Sequence, residues 1–156
     1  MKGIAYIHTT FCKGNVQFIQ TTKNTTTIYV DLVFNLKKTK KGLHGFHIHE
    51  FGDIGNQCKQ CGSHFNPNNK KHGSLSSLNR HSGDLGNIFV NNKGICRQTI
   101  IASDITITPG KSCILGRSIV IHADEDDLGK GHHNSNTFKT GNAGARIGCG
   151  VIGLSI

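Results

Sequence analysis

The alternation of apolar and polar side chains along Thr27–Leu36 constrains the fold more than any other feature of this chain. The apolar side consists of Ile28, Val30, Leu32, Phe34 and Leu36. The opposite side is mainly polar. Because successive side chains of a β-strand point to opposite faces, this pattern predicts a strand with one face in a core. The segment therefore favours a fold built from half-buried sheets.

Seven further segments alternate in the same way and complete a set of eight predicted strands. They are Gly3–His8, Asn15–Gln20, Leu43–His49, Asn87–Val90, Ile95–Ile101, Arg117–His122 and Cys149–Leu154. Turn-forming stretches such as Asn91–Gly94 separate them, and the chain has 20 glycines and 2 prolines. No segment has a convincing helical period. We therefore predict an all-β, eight-stranded antiparallel barrel or sandwich.

Two long segments, Glu50–Gly86 and Ala123–Gly148, interrupt the strand pattern. Both are rich in Gly, Asn, Ser and His, and together they hold five of the ten histidines. Loops of this length in a compact domain are usually functional or disordered. We expect them to build the functional site of one domain that spans residues 1–156, since a chain of this length suits a single core.

Nothing in the sequence predicts contact with a membrane. No apolar run reaches the length of about 18 residues that a spanning helix needs. The N-terminal stretch MKGIAYIHTT has no apolar core of the kind found in secretory signals. We therefore expect no membrane partner and a cytoplasmic location, which would be the host cytoplasm if the source is viral.

The chain is strongly basic, with a net charge of +9 from 18 Lys and Arg against 9 Asp and Glu. This balance permits nucleic-acid binding, and it also suits an enzyme with a small anionic substrate. The basic residues are dispersed apart from Lys37–Lys41 and the pair Lys70 and Lys71, and no aromatic residues are interleaved with them. We therefore predict a solvated basic surface and no nucleic-acid partner.

The segment His44–Asp53, HGFHIHEFGD, places two histidines on one face of a predicted strand. His47 and His49 are two residues apart and point the same way, whereas Phe46 and Ile48 point toward the core. Taken alone, the pair fits either a metal site or histidines with a structural role.

Histidines elsewhere in the chain favour the metal site. His122 ends a predicted strand, as a ligand on a rigid support would. The first long loop adds His64, His72, His81 and Asp84, at spacings of 8, 9 and 3 residues. Three imidazoles and one carboxylate make a closed tetrahedral zinc set, and imidazoles around an open position also suit copper. The pattern therefore predicts metal binding.

Several motifs resemble those of the copper/zinc superoxide dismutases: GFHIHEFGD, HFNP, KHG, RHSGDLGN, DDLGKG and KTGNAGARIGCGVIG. The resemblance runs through nearly the whole chain and is strongest over residues 42–94 and 113–153. It implies a Greek-key β-barrel or sandwich of the immunoglobulin-like type, with one copper and one zinc per subunit. The activity it implies is the disproportionation of superoxide to dioxygen and hydrogen peroxide.

Carried over position by position, the resemblance implies two metal sites that share one histidine. Copper would be held by His47, His49, His64 and His122, and zinc by His64, His72, His81 and Asp84. His64 would bridge the two metals and carry a proton during turnover. Asp126 would accept hydrogen bonds from one imidazole of each site, and Arg146 would orient the superoxide anion beside copper.

The resemblance also implies a disulfide between Cys58 and Cys149. Closing so long a loop would contribute about 4–5 kcal/mol in the chain-entropy model. Cys61 departs from the family pattern, and it could form a redox pair with Cys58 or be a free thiol nearby, which is the interpretation we favour. The remaining cysteines are expected to be free thiols: Cys12, Cys96 and Cys113.

A second departure lies in Gly129–Thr140, which contains two lysines and no acidic residue. We expect Lys139 and Thr140 to steer the anionic substrate, and His132 and His133 to be exposed loop residues rather than ligands. The resemblance further implies a homodimer and raises a copper-delivery chaperone as a partner. The predicted dimer interface consists of Phe51, Gly52, Ile114, Leu115, Val151 and Leu154.

Overall fold

A computed structural model describes residues 1–131 and 135–156 of the chain. The described residues form nine strands: β1 (Lys2–His8), β2 (Cys12–Gln20), β3 (Thr25–Phe34), β4 (Gly42–His49), β5 (Asp84–Val90), β6 (Ile95–Ser103), β7 (Ser118–His122), β8 (Arg146–Val151) and β9 (Gly153–Ser155). Short helical turns lie at Gly55–Cys58 (α1), Lys59–Cys61 and Ser135–Phe138. The predicted all-β class is confirmed, with one strand more than predicted in this part of the chain.

The strands of the described residues form two antiparallel sheets. The first sheet has the order β6-β3-β2-β1-β9, and the second has the order β5-β4-β7-β8. Within residues 1–131 and 135–156, no strand pairing connects one sheet to the other. The architecture is therefore a sandwich, and the sandwich form of the prediction is confirmed.

The apolar face of β3 packs into the core between the sheets, as predicted. Ile28, Val30, Leu32 and Phe34 are all buried. Burying one such side chain contributes about 1.5–3 kcal/mol. The strand ends at Phe34, however, and Leu36 is exposed in the turn that follows. The predicted strand included Leu36 because a turn residue can match the apolar–polar alternation by chance.

The predicted strand Cys149–Leu154 is divided in the structure. β8 pairs with β7 in the second sheet, whereas β9 pairs with β1 in the first. Ile152, which lies between β8 and β9, is fully buried. Val151 and Gly153 on either side of Ile152 are exposed, so burial alternates through the break itself and is lost only at Leu154, which is also exposed. The period therefore could not reveal the change of sheet.

β4 is buried on both faces, and this property positions the functional site. Phe46 and Ile48 lie in the core, while His47 and His49 on the opposite face are 0% and 1% exposed. The pairing of β4 with β5 shifts register between Gly45 and His47, a kind of irregularity that often re-aims side chains near functional sites. The long loops cover this histidine-bearing face.

Candidate metal centre

Four buried histidines from three parts of the chain converge on one point. β4 supplies His47 and His49, the end of β7 supplies His122, and the first long loop supplies His64. An isolated bridge between His49 and His64 holds this loop against β4. One potential ligand atom from each histidine lies within 4.8 Å of the other three. We call these residues the four-histidine group.

Each ring of the four-histidine group has one nitrogen anchored and one nitrogen directed at the other rings. The Nε2 atoms of His49 and His122 are 3.4 Å apart. Among the described residues, His47 Nδ1 and His64 Nε2 are buried without a hydrogen-bond partner. Buried polar atoms seldom lack partners, so these nitrogens fit a metal ion. The anchors of three rings are Asp126 Oδ2 at 2.6 Å from His47 Nε2, the Gly62 carbonyl at 2.9 Å from His49 Nδ1, and the Gly144 carbonyl at 3.0 Å from His122 Nδ1.

A second group of potential ligands lies on the other side of the His64 ring. Asp84 Oδ1 lies 2.8 Å from His64 Nδ1, 3.0 Å from His72 Nδ1 and 3.2 Å from His81 Nδ1. Asp84 Oδ2 accepts the backbone N–H groups of Gly73 and His81, which hold the carboxylate in place. We call His64, His72, His81 and Asp84 the Asp84 group.

The spacing within the Asp84 group fits a tetrahedral zinc ion. Ligands at about 2.0–2.1 Å from zinc and at tetrahedral angles are about 3.3 Å from one another. The Nδ1 atoms of His64 and His81 are 3.4 Å apart. His72 Nδ1 is close to Asp84 Oδ1, yet among the described residues it has no hydrogen-bond partner. The four potential ligand atoms therefore lie close enough together for one metal ion to bind all of them.

Asp126 connects the two groups through one carboxylate. Its Oδ2 lies 2.6 Å from His47 Nε2, and its Oδ1 lies 2.7 Å from His72 Nε2. The backbone N–H of Leu128 donates a further hydrogen bond to Oδ1 at 2.7 Å. Such a bridge sets the tautomer and orientation of both rings, as is usual behind metal ligands.

Two residues that support Asp126 escape prediction from sequence. Asn87 donates from Nδ2 to the Asp126 carbonyl at 2.9 Å, and its Oδ1 accepts the Asp126 backbone N–H at 2.8 Å. Gly141 has a φ of 65°, and a Cβ there would lie 2.5 Å from His72 Nε2. Gly141, the first glycine of KTGNAG, could have been recognised from the sequence as a position that leaves no room for a side chain. Asn87 lies at an ordinary strand position, so the local pattern carries no signal for it.

Burial keeps the imidazoles of the four-histidine group uncharged at neutral pH. Burial, followed by repulsion from His64, lowers the pKa of His47 and of His49 well below its ordinary value. Burial also lowers the pKa of His122 to about 4. Neutral imidazole is the form that binds a metal, so the group is ready to do so without first losing protons.

The Asp84 group combines its histidines with an ionised carboxylate. Burial by itself would raise the pKa of Asp84, but hydrogen bonds from His64 and His81 and the close approach of His72 hold it well below its usual range. Burial likewise opposes the charged form of His72, yet its hydrogen bond to Asp126 and the adjacent Asp84 carboxylate raise the pKa of His72 to about 9. A divalent cation in the centre would take the place of this proton.

We expect the metal-free protein to lose stability as the pH falls below about 6.5, the pKa of an unfolded histidine. The folded pKa of His122 is about 4, so the unfolded chain binds more protons in this range and the free energy of unfolding decreases. His72, whose pKa is raised, contributes stability that is lost only as the pH rises from about 6.5 toward 9. Urea unfolding after chelation should therefore give a lower free energy at acidic pH than near neutrality. The free energy of unfolding should depend less steeply on pH in His122→Asn than in the wild type. An equal slope in the two proteins would show that His122 does not cause the loss of stability.

A cavity of about 830 Å³ leads from the surface to the four-histidine group. Arg146 is held in its wall by hydrogen bonds to the carbonyl groups of Cys58 at 2.8 Å and Gly62 at 2.6 Å. The basic wall suits a small anion. Residues of the wall include His49, His64, His122, Lys139, Thr140 and Arg146. His132 and His133, predicted to be exposed loop residues, lie outside the described residues.

The geometry can be compared with known proteins. A family model described as copper/zinc superoxide dismutase matches residues 12–152. The chain belongs to this family. The crystal structure of the clock protein EA4 is similar to this superoxide dismutase family member, with a TM-score of 0.91 and 38% sequence identity. The similarity covers 99% of this chain and 94% of that chain. Across the part of the chain that the structure describes, no helix is long and apolar enough to cross a membrane.

In this family member, Cys58 and Cys149 form a disulfide with a sequence separation of 91. The bond ties the first long loop to β8, beside Arg146. Cys61 is a fully buried free thiol, so the structure does not show a Cys58–Cys61 pair. The other free cysteines are Cys12, Cys96 and Cys113.

The residues predicted to form the dimer interface of this superoxide dismutase family member differ in exposure. Phe51, Val151 and Leu154 have exposed side chains. The prediction that Ile114 belongs to an apolar surface patch is wrong, because Ile114 is fully buried in the main core. Leu115 is half-buried and packs against the same core. Gly52 is also half-buried.

Proposed function

We propose that the protein is a superoxide dismutase that binds copper in the four-histidine group and zinc in the Asp84 group. The position of His64 is the observation that carries the proposal, since its Nε2 faces the first group and its Nδ1 lies 2.8 Å from Asp84 in the second. Bound copper would supply alternate oxidation and reduction, by which two superoxide anions and two protons become dioxygen and hydrogen peroxide, while zinc would supply structural order.

In the proposed reaction, His64 holds a proton. Its Nδ1 is tied to Asp84, whereas its Nε2 is buried at the inner end of the cavity. A proton at Nε2 can pass to the reduced oxygen species there, and water in the cavity can supply the second. After the product leaves, His64 Nε2 carries no proton and can take one up again in the next cycle.

In the proposed reaction, Arg146 orients the anion. Its two terminal nitrogens are fixed by the carbonyl groups of Cys58 and Gly62, so the guanidinium cannot swing away from the cavity. A guanidinium has five N–H donors, and those left over can bind a small oxyanion in a defined direction. A protein that only stored metal would not need this arrangement.

The test is a superoxide-consumption assay on protein whose metal content is measured in parallel. Protein loaded with copper and zinc should consume superoxide, and chelation should abolish the activity. Reloading with zinc alone should not restore it, whereas reloading with both metals should. If the protein bound both metals in stoichiometric amounts and still consumed no superoxide, it would be a catalytically silent relative and the proposal would be wrong.

We expect Lys139→Gln to slow superoxide consumption by about twofold or more at low ionic strength, and less as salt is added. Lys139 is exposed in the cavity wall, and the part of Gly129–Thr140 that the structure describes contains no acid to offset its charge. Lys93→Gln is the matched control, because Lys93 is exposed in the turn between β5 and β6. Equal rates for Lys139→Gln and wild type at low salt would show that Lys139 does not steer the substrate.

We further propose a homodimer that buries the exposed apolar residues near β8 and β9. Leu154 on β9 is 63% exposed and lies close in sequence to Val151 on β8, which is also exposed. Sedimentation at micromolar concentration should give a dimer, and Leu154→Glu should shift it to monomer. Phe89→Glu is the control, since Phe89 is 57% exposed on another strand. A wild-type monomer would refute the dimer.

The copper-delivery chaperone and the cytoplasmic location stay predictions.

A further inference from the structure

Three cysteines pack together in a small cluster apart from the main core. Cys58, Cys61 and Cys149 form this cluster with Val120, and all four residues are buried. Cys58 and Cys149 are joined by the disulfide, while Cys61 is a free thiol with no exposed surface. Neither metal group includes Cys61. A free thiol packed into one cluster with a disulfide is the combination that thiol–disulfide exchange requires.

A single short turn separates Cys58 from Cys61. Cys58 precedes the 3₁₀ turn Lys59–Cys61, so the two cysteines are three residues apart across it. At the rise of a 3₁₀ turn, Cα atoms three residues apart are about 6 Å from each other. Disulfides span Cα distances of roughly 4.4–6.8 Å. The two sulfurs can therefore pair without a large movement of the backbone.

The segment that carries both cysteines has an unusual backbone. Asn56, Gln57 and Cys58 have φ values of 48°, 55° and 67°, which place three consecutive non-glycine residues in the left-handed region. Each such residue is less stable there than in a regular strand or helix. Segments of this kind open more readily than the strands around them. Opening would give Cys61 access to the disulfide.

We propose that the three cysteines form an exchange site in which Cys61 attacks Cys58. The Cys61 thiolate forms a bond to Cys58 Sγ, the bond between Cys58 and Cys149 breaks, and Cys149 leaves as a thiolate that takes up the proton lost by Cys61. One disulfide and one thiol are present before and after, so no oxidant or reductant is consumed. While the segment is closed, the fold holds Cys149 beside Cys58. Once the segment is open, the short ring to Cys61 is the easier one to close.

The exchange would change the support of Arg146. Arg146 donates to the carbonyl groups of Cys58, Lys59 and Gly62, all of which belong to the segment that the native disulfide ties to β8. With the disulfide moved to Cys61, this tie is lost and the guanidinium loses its fixed acceptors. The exchange itself does not depend on the proposed function. Only its expected effect on how Arg146 orients the anion rests on the proposed function.

Peptide mapping distinguishes the two disulfides, because trypsin cleaves after Lys59, between Cys58 and Cys61. The native bond links peptide 42–59 to peptide 147–156, whereas the exchanged bond links 42–59 to 60–70. Full-length metal-loaded protein would be incubated in oxygen-free buffer with moderate urea and no added thiol. It would then be alkylated, digested without reduction and examined by mass spectrometry.

We expect the 42–59/60–70 product to increase with time in the wild type, together with alkylated Cys149. In Cys61→Ala the product cannot form. The rate at which Cys149 becomes alkylated should be lower than in the wild type by about tenfold or more. Cys61→Ser serves as a second variant in case the alanine protein is poorly folded, and Cys113→Ala, which removes another free thiol, should behave as wild type. Two results would overturn the proposal. In the first, peptide 42–59 of the wild-type protein stays linked only to peptide 147–156. In the second, peptide 42–59 links to the peptides that contain Cys12 or Cys96 as often as to the peptide that contains Cys61.

Discussion

Replacement of His122 by alanine is expected to lower the rate of superoxide consumption by more than about 100-fold, since even changes to the residues behind a metal ligand cost about 10–100-fold. His122 is held at the end of β7, where the Gly144 carbonyl anchors its Nδ1 and directs Nε2 toward His49. Its removal opens the four-histidine group and leaves every member of the Asp84 group in place. Activity should therefore disappear while the fold persists.

Metal analysis makes this result specific. The His122→Ala protein should keep zinc and lose most of its copper, because only one of the two groups has been damaged. His8→Ala is the matched control, since His8 is an exposed histidine on β1 and belongs to neither group. If His122→Ala consumed superoxide at the wild-type rate, the four-histidine group would not be the reactive site.

Removal of the disulfide by Cys58→Ser with Cys149→Ser is expected to lower the free energy of unfolding by about 4–5 kcal/mol. The bond closes a loop with a sequence separation of 91, so it restricts the unfolded chain strongly. Small proteins have a total stability of about 5–15 kcal/mol, so this loss is a large share of the whole. Activity should fall as well, because Arg146 is held by carbonyl groups of the segment that the bond ties down.

Urea unfolding of the metal-free proteins measures the effect without the contribution of bound metal. Cys113→Ser is the control, because Cys113 is a half-buried free thiol that takes part in no disulfide. The double serine variant also removes any exchange with Cys61, so the unfolded state has no alternative bridge. A difference of less than about 1 kcal/mol between this variant and wild type would contradict the chain-entropy account.

Much of the sheet architecture could be predicted from the sequence, because alternation is a local property. Ile28, Val30 and Leu32 are buried in β3 because a half-buried strand must show every second side chain to the core. The same reasoning placed His47 and His49 together on the opposite face of β4 from Phe46. Short-range pattern is sufficient wherever the two faces of a strand carry different kinds of side chain, because the period of two assigns each residue to a face.

Features that depend on contacts distant in the sequence could not be predicted in this way. Ile114 looked like part of a surface patch, yet the chain folds it into the core. Ile152 is buried between two strands that belong to different sheets. Asn87 and Gly141 support Asp126, which is distant from Asn87 in sequence. None of these roles leaves a periodic mark on the residues themselves.

The sequence by itself determined the all-β class, and through its motifs it indicated the family and the residues able to bind metals. Only the tertiary structure decided which ring nitrogens are free, because that depends on the carbonyl and carboxylate groups that anchor the other nitrogen of each ring. It also decided that His64 lies between the two groups. The physical reason is that strand periodicity is set by neighbours along the chain, whereas a metal centre is set by buried polar groups that the fold brings together from distant segments.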